Sequence, residues 1–139
     1  MQLDDLVELF LDNCSKIDDT GNKKFSMNKQ LIFTIGVLYL TTNLAQLKVL
    51  SLANTNITNN SLALIADNLL NIEYLSVEFA KVDDIEVLSR CEKLLFLQCG
   101  TQTLPPAKVT LWRQANRRVK VATSARNIQQ SALQLFCEL

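Results

Sequence analysis

The sequence predicts an α/β protein: a short right-handed solenoid with parallel strands on its concave face and helices on its convex face. The segment LKVLSLANTNIT, residues 47–58, places alternate leucines on one side of a short strand, because strand side chains alternate with a period of two. Similar segments recur as LVELFLDNC, NIEYLSV, KLLFLQC and RRVKVAT. One such strand cannot bury its apolar side alone, so the copies are expected to stack beside one another.

The spacing of these segments predicts the register of the strands. Leu52 and Val77 are 25 residues apart, and Val77 and Cys99 are 22 apart. Another 22 residues lead from Cys99 to Val121, so we expect a fifth strand in which Val119 and Val121 alternate, with Val121 beside Cys99.

Helices are predicted between the strands, at 60–70, at 84–90 and after Pro105-Pro106, a pair suited to a first helical turn. Their inward positions are Leu62, Ile65, Ala66 and Leu69 in the first, Ile85, Val87 and Leu88 in the second, and Val109, Trp112 and Ala115 in the third.

Residues 22–46 do not fit one repeat cleanly, and two interpretations of them stay open. We predict a helix over 27–41 with Ser26 as its N-cap, although the stretch 35–43 also matches a strand. The expected inner face of the helix is Met27, Leu31, Ile35 and Leu38, with Phe33, Val37 and Leu40 directed towards neighbouring repeats.

Residues 124–139 read as a final amphipathic helix with Ile128, Ala132, Leu135, Phe136 and Leu139 on one face. A solenoid exposes its core at each end, so this helix is expected to cap it, and partner binding is the alternative. The whole chain is then one domain, with repeats over about 3–122 and the cap behind them.

Charge and cysteine content narrow the class of protein. The net charge is zero, but residues 1–100 sum to −5 and residues 101–139 to +5. Three of the four cysteines (Cys14, Cys91, Cys99 and Cys137) fall at positions that the repeat reserves for buried residues. We therefore expect reduced thiols in a cytoplasmic or nuclear protein, with mitochondria as the alternative compartment. The longest apolar run, residues 31–40, is about half of what a membrane-spanning helix needs.

Catalytic and metal-binding motifs are missing from the sequence. It contains no histidine, no CxxC pair and none of the glycine-rich phosphate-binding or nucleophile motifs. We expect the pairs Asp4-Asp5, Asp18-Asp19 and Asp83-Asp84 to cap backbone amides at turns and helix starts. The expectation is a protein that is not an enzyme and has neither a cofactor nor a metal.

Residues 3–21, LDDLVELFLDNCSKIDDTG, resemble the cysteine-containing leucine-rich repeat, the ribonuclease-inhibitor-like subtype of F-box proteins. The resemblance covers about residues 3–122 and implies a substrate-recognition or adaptor role in a ubiquitin ligase, although no F-box sequence precedes the repeats. Small mitochondrial proteins of the same repeat class suggest the alternative of a structural or assembly subunit. The matching residues are Leu3, Leu6, Leu9, Leu11, Cys14, Ile17, Asp19 and Gly21.

The concave face is the expected binding site for a partner protein. The residues between the inward leucines should form three rows across the strands, and Tyr74 and Phe96 should be exposed aromatic anchors. The alternative is that the two rings only pair across their strands. The rows are Glu8, Val49, Tyr74, Phe96 and Arg118; Phe10, Ser51, Ser76, Gln98 and Lys120; and Asp12, Ala53, Glu78, Gly100 and Ala122. The expected partner-binding residues are Glu8, Phe10, Val49, Tyr74, Glu78, Phe96, Gln98, Arg118 and Lys120.

The basic cluster from Lys108 to Arg126 permits a third function, nucleic-acid binding. Its basic residues alternate with apolar ones, as the outer face of a helix and a strand would. We therefore favour an acidic protein partner, or simple solvation, over nucleic acid.

Overall fold

The computed structural model of the protein describes residues 5–12, 37–100 and 104–123, which form an α/β structure around one parallel sheet. The strands are β1 (Glu8–Phe10), β2 (Val49–Ser51), β3 (Tyr74–Ser76), β4 (Phe96–Gln98) and β5 (Lys120–Ala122). The helical elements are α1 (residues 37–43), α2 (Asn59–Asn68), a 3-10 helix (Glu86–Arg90) and α3 (Pro106–Ala115). The predicted α/β class, the parallel strands and all five strand positions are confirmed.

The strands lie in the sheet in the same order as in the sequence, and each pairs in parallel with the next. Every connection therefore returns the chain to the strand beside the one it left. The aligned central residues are Leu9, Leu50, Leu75, Leu97 and Val121.

The main core lies between one face of the sheet and the helical segments. Leu50, Leu75 and Leu97 are buried on that face and belong to the same apolar cluster as α2. The predicted inward positions of α2 are all buried, as an amphipathic helix on a sheet requires. Burying each large aliphatic side chain contributes roughly 1.5–3 kcal/mol, so this layer is the main source of stability.

Residues 37–43 are helical, so the strand alternative is wrong over the described part of that segment. The phase of the helix also differs from the prediction, because Val37 is buried and Leu38 is largely exposed. Val37, Thr41 and Leu44 are buried at spacings of four and three residues, which defines the inner face. The predicted positions before residue 37 lie outside the described residues.

The two later helical segments differ in length. The predicted helix at 84–90 is a short 3-10 helix, because only 22 residues separate Leu75 from Leu97 and a longer return does not fit. Helix α3 begins after Pro105 as predicted, and Val109 and Trp112 are buried. Ala115, also predicted to point inward, is exposed.

The predicted register of β5 is wrong by two residues. Lys120, not Arg118, pairs with Phe96, and Val121 pairs with Leu97. The first two rows of the opposite strand face therefore end at Lys120 and at Ala122.

A shorter strand entry explains this shift. The N–H groups of Leu94 and Val119 each donate to the carbonyl three residues earlier, at 3.1 and 3.0 Å, so the two residues occupy equivalent turns. Leu94 precedes Leu97 by three residues, whereas Val119 precedes Val121 by only two. Counting back from the alternation of the two valines therefore places β5 incorrectly.

Polar side chains connect successive turns of the chain. The side-chain oxygen of Asn59 accepts hydrogen bonds from the backbone N–H groups of Asp83 and Asp84, at 3.2 and 3.3 Å. The Asp84 carboxylate accepts one from the N–H of Glu86 at 2.8 Å, which confirms the predicted capping role for this aspartate. Asp4, Asp18 and Asp19 lie outside the described residues.

Cys91 and Cys99 are buried free thiols, as predicted. Cys14 and Cys137 lie outside the described residues, and so does the predicted helix 124–139.

Candidate functional site

The strand face opposite the core carries a second apolar group, the aromatic cluster, made of Val49, Tyr74 and Phe96 with Ala122 packed against it. The rings of Tyr74 and Phe96 stack, with centroids 5.6 Å apart and planes inclined by 19°. Tyr74 is 0% and Phe96 3% exposed, so the prediction that they are exposed anchors is wrong. The alternative, cross-strand pairing, is confirmed. The stack and Val49 form one contiguous apolar area, whose burial is favourable.

A buried polar group, the Gln98 network, adjoins the aromatic cluster. The hydroxyl of Tyr74 donates to the side-chain oxygen of Gln98 at 3.0 Å, and the amide nitrogen of Gln98 donates to the Glu78 carboxyl at 2.6 Å. Glu78 and Gln98, both predicted to contact a partner, are buried. Their side chains therefore hold β3 and β4 together rather than face solvent.

Burial governs the ionisation of the groups around this network. It raises the pKa of Tyr74 to about 12, with the charge of Asp12 adding to the rise. Burial also raises the pKa of Glu78, although the hydrogen bond from Gln98 opposes the change. The pKa of the Cys99 thiol rises to about 12, first by burial and then by the charge of Glu78. The phenol and the thiol are accordingly neutral at pH 7.

The raised pKa of Tyr74 predicts a loss of stability in alkali. An unfolded tyrosine ionises near pH 10, whereas folded Tyr74 holds its proton to about pH 12. Its contribution is therefore complete below pH 10 and is lost between pH 10 and 12, amounting to about 2–3 kcal/mol. We expect urea unfolding to show this loss in the wild type and not in Tyr74→Phe, which keeps both buried thiols. Parallel pH profiles for the two proteins would contradict it.

Four of the nine predicted partner-binding residues are exposed: Glu8, Phe10, Arg118 and Lys120. They lie on the first and last described strands or beside them, four strand spacings apart, or about 19 Å. The Arg118 guanidinium donates to the carbonyl of Cys91 at 2.7 Å, so it is partly engaged within the chain. The five buried residues between these edges separate the predicted site into two parts.

Asp12 fixes the exposed end of β1. Its carboxylate accepts hydrogen bonds from the hydroxyl of Ser51 and, at 3.1 Å, from the backbone N–H of Ala53. These bonds attach the end of β1 to β2. They hold the strand that carries Phe10, whose side chain is 43% exposed.

Phe79 is an exposed aromatic residue that the sequence analysis did not identify. Its side chain is 47% exposed, and its backbone is left-handed, with φ at 57°. Asn54 occupies the corresponding turn one repeat earlier, with φ at 53°. Asparagine tolerates this conformation, whereas a residue such as phenylalanine pays about 1–2 kcal/mol for it. An aromatic residue at the turn position held by Asn54 was the available sequence signal.

The chemistry of the described residues favours contact over catalysis. Within residues 5–12, 37–100 and 104–123, no group of three or more His, Cys, Asp or Glu side chains is placed to hold a metal ion. Burial raises the pKa of Cys91 to about 11, so this thiol, like that of Cys99, is a poor nucleophile at neutral pH. None of the helices in these ranges is long and apolar enough to span a membrane.

The comparisons with known proteins add no assignment. No protein-family model matches the chain, and no curated protein matches it.

Proposed function

We propose that the chain is a short leucine-rich-repeat solenoid that acts as a non-enzymatic protein-binding module. The sequential order of five parallel strands, with a helical segment between the later pairs, supports the repeat architecture. The recurring inward leucines support it from the sequence. Such a stack offers neighbouring repeats as one extended surface on which another protein can lie.

The observation that carries the proposed function is the exposed, left-handed Phe79. Neither its backbone conformation nor its exposed ring benefits the fold, because the turn position suits asparagine and the ring is about half in solvent. Residues held in costly backbone conformations cluster at functional sites, and aromatic residues are enriched among binding hot spots. We infer that Phe79 is a partner-contacting residue.

Phe10 and Glu8 extend the proposed binding surface onto the first strand. Both are exposed, and Phe10 contributes a second aromatic side chain of similar exposure to Phe79. Glu8 and, on the far edge, Lys120 would orient a partner and speed its encounter more than they would add affinity.

Within this class, the favoured role is a substrate-recognition or adaptor protein of the F-box leucine-rich-repeat type, in the cytoplasm or nucleus. The buried free thiols of Cys91 and Cys99 support a reducing compartment. The alternative is a small structural or assembly subunit of a mitochondrial or other large complex. Nucleic-acid binding is less favoured, because Lys108 contacts Asp84 and Arg118 contacts a backbone carbonyl.

Affinity capture with three forms of the full chain tests the proposal. The baits are the wild type, Phe79→Asn and the control Leu70→Asn, which changes a leucine that is 66% exposed elsewhere on the surface. We expect mass spectrometry to find one set of proteins with the wild type and the control, and to lose it with Phe79→Asn. Ligase subunits in the set would support the adaptor role, and respiratory-complex subunits the alternative. Identical sets from all three baits, or recovery of nucleic acid alone, would contradict binding through Phe79.

A further inference from the structure

A groove of about 260 Å³ lies between the 3-10 helix and α3, away from the proposed site at Phe79 and Phe10. We call it the α3 groove. Drug-sized ligands occupy pockets of roughly 300–1,000 Å³, so this volume suits one or two side chains of a peptide better than a whole small molecule. Its lining residues are Asp84, Ile85, Glu86, Lys108, Leu111, Trp112 and Ala115.

One face of α3 forms the apolar side of the groove. Lys108, Leu111, Trp112 and Ala115 follow the spacing i, i+3, i+4 and i+7, which places them along the same side of a helix. Leu111 is 67% exposed, although it adjoins the buried Trp112 and Ile85. A large apolar side chain in water next to an apolar floor marks a place where another apolar group gains by docking.

The single tryptophan of the chain has an unmet hydrogen-bonding need at this groove. The indole N–H of Trp112 is buried and has no acceptor within the described part of the chain. Nearly all buried polar groups in folded proteins have a partner. A peptide carbonyl that displaces the side chains over the indole would supply the acceptor.

The charges at the rim select the sign of the ligand. The ammonium of Lys108 lies 3.7 Å from the Asp84 carboxylate and 3.3 Å from the carbonyl oxygen of Asp83, so its charge is already compensated. The exposed carboxylate of Glu86 has no ion-pair partner among residues 5–12, 37–100 and 104–123. The rim is therefore complementary to a cation.

The geometry points to a second binding site: the α3 groove takes a short peptide segment that inserts an apolar side chain beside Leu111 and Trp112 and places a Lys or Arg at Glu86. This site is separate from the one proposed at Phe79. Loss of either one therefore leaves the other testable.

The indole N–H signal of ¹⁵N-labelled full-length protein tests this inference, because one tryptophan gives one assigned signal. The probe is the peptide acetyl-Gly-Leu-Lys-Gly-amide. We expect a saturable downfield shift of the indole proton as the peptide carbonyl accepts its hydrogen bond. Peptides in which glycine replaces the leucine, or glutamate the lysine, should bind more weakly.

Two variants of exposed residues locate the site, and the remaining amide signals report that each variant is folded. Glu86→Gln should reduce the preference for the lysine peptide over the glutamate peptide by about two- to fivefold, the range for one exposed ion pair. Leu111→Gln should weaken binding of the lysine peptide, and the matched control Leu70→Gln should not. An indole signal that no peptide shifts, equal shifts with all three peptides, or unchanged binding by Leu111→Gln would overturn the proposal.

Discussion

Replacement of Tyr74 or Phe96 by alanine is expected to lower the free energy of unfolding by about 3–5 kcal/mol, the usual cost of removing a buried aromatic side chain. Both rings are buried and stacked on the strand face opposite the main core. Each substitution removes one ring of the stack, and Tyr74→Ala also leaves the oxygen of Gln98 without its donor. Urea unfolding of the purified variants measures the effect.

Phe10→Ala is the matched control for these aromatic substitutions. Phe10 lies on the same strand face, but its side chain is 43% exposed. Its removal should therefore cost less than half as much as that of Phe96. Equal and small losses for Phe10→Ala, Tyr74→Ala and Phe96→Ala would contradict a buried second face.

Leu75→Ala is expected to cost about 2–5 kcal/mol, because it opens a cavity at the centre of the sheet. Leu75 is 0% exposed and lies in register between Leu50 and Leu97. The neighbouring leucines belong to strands on both sides, so the structure cannot close the space by moving one loop. The free energy of unfolding from urea titration is the measurement.

The control for the core is Leu111→Ala, which changes the most exposed leucine of α3. Substitutions at such surface positions are usually within about 0.5 kcal/mol of the wild type. A loss for Leu75→Ala no larger than that for Leu111→Ala would show that β3 does not face the main core.

The inward half of this fold is predictable from sequence because repetition removes ambiguity. A single LxxLxL pattern fits many structures, but copies at similar spacing have to align their leucines if all are to be buried. Leu50, Leu75 and Leu97 are accordingly in the predicted register. Helix α2 was equally accessible, since its apolar residues follow a clear helical period.

The outward half was not predicted because a face between leucines is normally assumed to meet solvent. The relevant signal was present in KLLFLQC, where apolar residues run almost without interruption. Strands buried on both faces are typically near-continuous apolar runs, whereas half-exposed strands alternate. Exposed Tyr74 and Phe96 were therefore the less consistent interpretation of β3 and β4.

Two other features depend on geometry that a residue pattern does not specify. The spacing from Val119 to Val121 gave no sign that β5 begins one residue early relative to the other repeats. The left-handed backbone of Phe79 follows from how its turn meets the next repeat. Leu111 and Trp112 are adjacent in sequence, but only the structure shows that the 3-10 helix makes a groove beside them.

The most direct test of the proposed function measures stability and binding together in Phe79→Asn. Asparagine suits the left-handed turn, as Asn54 does one repeat earlier, so we expect the free energy of unfolding to rise by about 1 kcal/mol. The affinity for the captured partner should fall by about 1–3 kcal/mol, because the aromatic anchor is removed. A variant that is more stable and binds less well is the predicted result. A variant that is less stable but binds its partner as the wild type does would contradict the proposed function.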